Sequence, residues 1–315
     1  MILLWGIPGD RPLMAVRNAL SRLGYDATFL NQHAVLDTEI ELEVGTSIRG
    51  EVCLCKQRID LAKISAVYLR SYCSRDLPII QQAAQKDRAR LHAERVDDVL
   101  YSWADLTPAL VVNRPRAMAS NNSKPYQSTF AQALGFAVPD TLITTDPDAA
   151  RQFWESHGTV IYKSISAIRS VVSRLTSDRA VDLEAVIWCP TQFQEYIPGV
   201  DYRVHVVGER VFACTITSLA DDYRYATSQG YTTEIQACDL PQEVAERCRI
   251  LTKQLGLSVS GVDLRLRPDG RWYCFEVNPS PAFTYYQNAT GQYIDEALAH
   301  LLGRSSSQEL ATPPS

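Results

Sequence analysis

Two carboxylates and one carboxamide sit where a hairpin would bring them together. Asp263 precedes the turn-forming run Arg267-Pro268-Asp269-Gly270, and Glu276 and Asn278 follow it in Cys274-Phe275-Glu276-Val277-Asn278-Pro279. Side chains alternate along a strand, so Glu276 and Asn278 share a face, and folding at the turn carries Asp263 towards them. Three hard oxygen donors in one place suit Mg²⁺ shared with phosphates. Glu276 stands between Phe275 and Val277 at the end of the run Trp272 to Phe275, where an unpartnered charge is costly. The same spacing also fits three polar side chains on the solvated face of a hairpin.

Two lysines extend the pattern. Lys163 ends the β-branched run Thr159-Val160-Ile161-Tyr162, and Lys124 stands at a helix start, where the macrodipole disfavours a cation. Each fits a phosphate contact; equally, a strand-end lysine can snorkel to water. Gln194-Glu195-Tyr196-Ile197-Pro198-Gly199 leads from a strand into a loop. Its backbone can pair with a flat heterocycle, with Tyr196 and Ile197 as apolar walls. Asp201 and Arg203 share a face of the next strand, where a plain surface ion pair is the alternative. Arg265 shares a face with Asp263.

The elements that must hold these residues follow from periodicity. Alternating strand and helix signals through Met1 to Val112, with a helix from Arg11 to Leu23 and another from Gln81 to Leu100, predict an α/β lobe over 1–112. A central lobe, 113–190, opens with a helix capped by Asn121, Asn122 or Ser123, with Pro125 in its first turn and Gly135 at its stop. A second helix starts at Asp146-Pro147-Asp148 and ends near Gly158. The last lobe, 191–304, contains a hairpin turning at Gly208-Glu209-Arg210, a helix from Pro241 to Leu255, the hairpin of Asp263 and Glu276, and a final helix from Ile294 to Leu302. The polar, Pro-containing tail 305–315 is expected to be disordered.

The chain has 315 residues, too many for one ordinary core. Its 31 basic against 36 acidic residues argue against nucleic acid, whose phosphates need a basic excess. Six of the basic residues are lysines (Lys56, Lys63, Lys86, Lys124, Lys163, Lys253) and the rest arginines, so each lysine merits inspection. No apolar run approaches a membrane span, and Met1 to Pro8 reads as a buried strand, not a signal peptide. The eight cysteines lack zinc-like spacing and are expected to be reduced thiols of a cytoplasmic protein. The five histidines show no paired spacing, and no Ser-His-Asp or Cys-His series stands out.

Taken in order, these residues resemble the ATP-grasp superfamily from about Asn113 to Leu302. The resemblance rests on Lys124, Lys163, the Glu195-Tyr196-Ile197 linker, and Gly261-Val262-Asp263 separated by twelve residues from Glu276-Val277-Asn278. Within the superfamily the chain looks most like RimK-like peptide ligases, especially the microviridin type that matures ribosomally made peptides through side-chain esters or amides. The segments 138–144, 193–204 and Asp222-Tyr223-Arg224-Tyr225 suggest this. The resemblance implies an α/β (α+β) ATP-grasp fold preceded by an N-terminal pre-ATP-grasp domain. It assigns Lys124 and Lys163 to the ATP phosphates, backbone groups of Glu195, Tyr196 and Ile197 to the adenine, Asp201 to the ribose, and Asp263, Glu276 and Asn278 to Mg²⁺, as two ions. Arg203, Arg224 and Arg265 become candidates to steady the acyl phosphate or the tetrahedral intermediate. One departure stands out: no glycine occurs between Gly158 and Gly199, where many ATP-grasp enzymes carry a phosphate-covering glycine loop after the second lysine. Serine hydroxyls, Arg169 or Arg174 are the candidate substitutes.

The expected activity is an ATP- and Mg²⁺-dependent ligation of a carboxylate to an amine or hydroxyl. The expected partner is a peptide, such as a leader-bearing precursor, or else a small-molecule carboxylate and amine; neither nucleic acid nor a membrane is expected, and homodimer formation is left open. A small-molecule ligase and a nucleotide-binding protein without turnover are the alternatives.

Overall fold

The computed structural model describes residues 1–54, 57–164, 172–177, 180–218 and 230–308. The first sheet is parallel: β1 (Ile2–Gly6), β2 (Ala27–Asn31), β6 (Ala66–Arg70) and β7 (Leu110–Val112), in the order β2-β1-β6-β7. Every residue of β1 is buried, because helices cover both faces. Leu3 and Trp5 pack towards α3 (Lys86–Leu106) through Ala93, Val96, Leu100 and Trp103. Ile2 and Leu4 pack towards α1 (Arg11–Arg22), which Asp10 caps by accepting from the Leu13 amide. Between β2 and β6 lies a small antiparallel sheet, β3 (Thr38–Val44), β4 (Ile48–Leu54) and β5 (Gln57–Asp60), which sequence reading did not anticipate. A short α2 (Pro78–Gln81) precedes α3, and α4 (Pro115–Met118) follows β7.

The central segment builds the mixed unit expected of it. Ser123 caps α5 (Lys124–Ala133), and Asp146 caps α6 (Pro147–His157), which ends at Gly158. β8 (Thr141–Thr144), β9 (Val160–Ser164), β10 (Ser173–Arg174) and β11 (Thr191–Glu195) form an antiparallel sheet in the order β10-β9-β11-β8. Ala150, Val160, Leu183, Val186 and Phe193 make its core.

The third large sheet is antiparallel, in the order β14-β13-β12-β15-β16: β12 (Val200–Val207), β13 (Arg210–Ser218), β14 (Thr233–Cys238), β15 (Val259–Leu266) and β16 (Trp272–Asn278). β12–β13 and β15–β16 are the two expected hairpins. One face packs on α5 and α7 (Gln242–Gln254) through Val204, Val262, Leu264, Cys274, Val277, Cys248 and Leu251. The other face is left for the site. β16 is an edge strand whose outer side is closed by two devices. The Gln127 carboxamide pairs with both backbone groups of Val277, at 2.7 and 3.0 Å, and Ala137 bridges Trp272 and Cys274.

The chain finishes with α8 (Thr284–Thr290) and α9 (Ile294–Gln308). The expected end at Leu302 and the disordered tail from 305 need correction, because α9 continues through 305–308. Gly303 does not stop it: a Cβ there would run into the Tyr25 ring, so this glycine serves close packing inside a continuing helix. Residues 309–315 lie outside the described residues. α9 packs through Ala297, Leu298 and Leu302 into the core of the first sheet. Buried Asn113 ties the segments further, donating to Val259 and Pro279 carbonyls and accepting from the Ser258 and Val259 amides. Among the described residues, no helix is long and apolar enough to cross a membrane.

Candidate active site

Three transverse rows of side chains build the exposed face of the third sheet. Register places Arg203, Asp263 and Glu276 side by side on β12, β15 and β16. The row before it is His205, Gly261 and Asn278; the row after it is Asp201, Arg265 and Tyr273. Thus Asp263, Glu276 and Asn278 do share one face. A register shift after Asp263 makes Phe275 the extra residue of a bulge, with Leu264 opposite Cys274. A bulge sends two consecutive side chains to one face, and both Phe275 and Glu276 line the cleft. Simple alternation would have sent one of them into the core.

Counter-ions hold the carboxylates. Arg203, 5% exposed, donates to Asp263 at 2.5 Å. Lys124, delivered by the first turn of α5, places Nζ 3.5 Å from Glu276. Burial and the Arg203 charge hold His205 well below the usual imidazole range, so it is neutral beside the row.

Arg265 lines the cleft and is also held by groups of the chain itself. It binds both Asp201 oxygens, at 2.6 and 2.9 Å, and donates to the Ile197 carbonyl at 2.7 Å. Its guanidinium lies 5.8 Å from the Tyr196 ring and 5.2 Å from the Phe275 ring. It therefore ties the linker between sheets to β15 and stiffens two aromatic walls. Arg174 also lies over the Tyr196 ring, at 4.4 Å.

The cleft between the central and third sheets is open to solvent. Ile161, Lys163, Gln194 and Tyr196 line one wall; Asp201, Asp263, Arg265, Phe275 and Glu276 line the other. Lys163 is only 9% exposed, so it stays in the wall instead of reaching bulk water. Ile197 is buried away from the cleft, and the Glu195 side chain leaves the opposite face of β11. There Asp140, His157 and Glu195 cluster, with His157 Nε2 3.3 Å from Asp140. Desolvation pushes the Glu195 carboxyl up, and the Phe153 carbonyl and Asp140 push His157 up. Only the backbone of Glu195 is left to face a ligand in the cleft.

Sequence reading missed Gln194. The residue lines the cleft; its amide nitrogen donates to Thr141 Oγ1 at 2.9 Å, while its buried carbonyl oxygen has no hydrogen-bond partner among the described residues. Alternation on β11 was the available signal, since Gln192 and Gln194 share the Lys163 face. Arg224, Asp222, Arg169 and the segment 165–171 after Lys163 lie outside the described residues.

Residues 121–302 match the model of the RimK-like ATP-grasp domain. The chain belongs to that family. The RimK-like assignment agrees with the ATP-grasp fold that the resemblance implied. A similar curated relative is a glutathione synthetase of Nostoc sp. (strain PCC 7120 / SAG 25.82 / UTEX 2576), 26% identical over 65% of this chain. The match spans 61% of that synthetase's own length. A solved structure of the ATP-grasp ligase PsnB, complexed with a phosphomimetic variant of its minimal precursor, Mg and ADP, superposes with a TM-score of 0.81 at 26% identity. It covers 97% of this chain and 98% of PsnB. The macrocyclase MdnC of Microcystis aeruginosa MRC, bound with precursor peptide MdnA, shares the fold at 23% identity and a TM-score of 0.81, over 96% of this chain and 99% of MdnC.

Proposed function

We propose that this RimK-like protein is an ATP- and Mg²⁺-dependent ligase that joins a carboxylate to an amine or hydroxyl, acting on side chains of a ribosomally made peptide. The observation that carries the reading is the row Arg203, Asp263 and Glu276, with Lys124 at one end, facing a cleft walled by Lys163 and Gln194. Peptide complexes of PsnB and MdnC, which match this chain end to end, support the peptide over a small metabolite.

The donor set fits the metal. Asp263, Glu276 and Asn278 offer only hard oxygens, and their face is open to the cleft. Bound there, as two ions, Mg²⁺ would offset charge on the phosphates. The chain's own groups do the rest. Lys124 and Lys163 draw the phosphates into place, and the orphaned Gln194 oxygen suits an amino group on a purine edge. Asp201, held at the cleft by Arg265, is the candidate acceptor for a ribose hydroxyl. Arg203 faces the side where charge develops as a substrate carboxylate oxygen bonds to the γ-phosphorus and ADP leaves. An amine or hydroxyl then attacks the acyl carbon, the C–O bond to phosphate breaks, and the nucleophile's proton goes to solvent.

The test is a mass spectrum of a candidate precursor, with a Thr/Ser- and Asp/Glu-rich core, after incubation with ATP and Mg²⁺. Each closure should remove one water and release one ADP. ADP released with free amino acids and not with peptide favours the small-molecule ligase that the glutathione synthetase relative suggests. ATP binding with no acceptor-stimulated ADP favours a nucleotide-binding protein without turnover.

A further inference from the structure

The loop that follows Asn278 is gripped from the first sheet. Arg70, the last residue of β6, donates from Nη1 to Ser280 Oγ at 2.9 Å and to the Pro281 carbonyl at 3.3 Å. Its Nε and Nη2 bind the two Asp10 oxygens at 2.7 and 3.1 Å. Both side chains are enclosed, Asp10 being 3% and Arg70 10% exposed. Asp10 is itself fixed, by capping α1 through Leu13 and by accepting from the Tyr72 hydroxyl at 3.2 Å. One side of the guanidinium is therefore anchored to a helix start, and the other reaches a loop 210 residues away.

That loop sets one of the candidate metal ligands. The Ser280 amide donates to Asn278 Oδ1 at 2.8 Å. The Pro279 carbonyl is taken by Asn113 at 2.6 Å, and Pro281 packs on Gly261, the residue opposite Asn278. The Asp10 pair lies within the first lobe, and the apolar core around α9 already joins that lobe to the rest of the chain. That joint does not need a guanidinium aimed at a hydroxyl two residues beyond Asn278.

We propose that Arg70 is a positioning residue: through Ser280 it fixes the Asn278 carboxamide for metal binding, so the first lobe forms part of the metal-site scaffold. This rests on the reading of Asp263, Glu276 and Asn278 as the Mg²⁺ ligands. Ser280→Ala removes the hydroxyl link and keeps the Arg70–Asp10 pair and the longer Pro281 contact. Arg70→Lys keeps a charge, but one ammonium cannot span Asp10 and Ser280 together. ADP affinity is measured by calorimetry at graded Mg²⁺ and in EDTA, alongside thermal unfolding. Both variants should need ~10-fold more Mg²⁺ than the parent to reach half of the metal-dependent gain, the scale expected for outer-shell partners. Affinity in EDTA should match the parent, Ser280→Ala should melt with the parent, and Ser280→Thr should restore the Mg²⁺ curve. Variants that follow the parent's Mg²⁺ curve overturn the role of Arg70 and leave the metal site standing. A parent whose ADP affinity ignores Mg²⁺ overturns both.

Discussion

The Arg203 guanidinium lies against Gly261, with Cζ 2.8 Å from where a Cβ would stand. Glycine thus lets Arg203 reach Asp263 and lets Pro281 close down from the other side, its Cβ 2.9 Å from the same point. Gly261→Ala should push Arg203 off Asp263. Overpacking of this kind costs about 1–3 kcal/mol, so a lower Tm is expected together with a drop in turnover of at least ~10-fold. Thermal unfolding and ADP release measure the two effects.

Glu276→Gln should reduce ADP release by about 100-fold or more, because a neutral amide neither binds Mg²⁺ nor pairs with Lys124 as a carboxylate does. Its melting should stay close to the parent's, since an ion pair near solvent contributes ~1 kcal/mol or less. Turnover equal to the parent's would remove Glu276 from the metal site.

Arg265→Lys tests the linker clamp. A lysine cannot fork onto Asp201 while reaching the Ile197 carbonyl, so the linker should loosen. ADP affinity is expected to fall about 10-fold, the equivalent of one charge-assisted hydrogen bond. The loss should appear in EDTA as well as with Mg²⁺, which separates it from a metal-site effect in a calorimetric titration.

A fourth expectation concerns pH. Asp97 of α3 is buried against Ser74, accepting from its amide at 3.2 Å and its hydroxyl at 2.9 Å, and desolvation pushes its pKa up to about 6. The folded state therefore holds this proton more tightly than the unfolded chain does. The destabilisation is absent below the ordinary value of 3.8, grows as pH rises through about 6, and is complete above it. Asp97→Asn should accordingly gain in Tm relative to the parent between pH 5 and pH 7.5, by ~2 °C or more. Melting curves at the two pH values decide it; a gap that does not widen contradicts the shift.

Most of the candidate site was legible because strand alternation is a local rule. Asp263, Glu276 and Asn278 could be placed on one face from their numbers alone. The bulge at Phe275 could not, since a register shift depends on how β15 and β16 pair. Arg265 was put on the face that it occupies, but the neighbour that holds it was not foreseen. Its partner, Asp201, lies 64 residues away and reaches it only once β12 lies beside β15. Thr38-Glu39-Ile40-Glu41-Leu42-Glu43-Val44 alternates as a strand should, so β3 was readable and was overlooked. α9 outran its expected end because Gly303 answers to Tyr25, a contact that no local pattern announces.

The packing of α9 has a consequence for how the chain is made. Ile2 and Leu4 leave the ribosome nearly 300 residues before Ala297, Leu298 and Leu302, which cover the same core. Until α9 emerges the nascent first lobe carries an apolar face with no lid, a setting in which chains stick to one another or recruit chaperones. Closure of that face is a late, long-range event, and it is the same event that brings Arg70 within reach of the loop after Asn278.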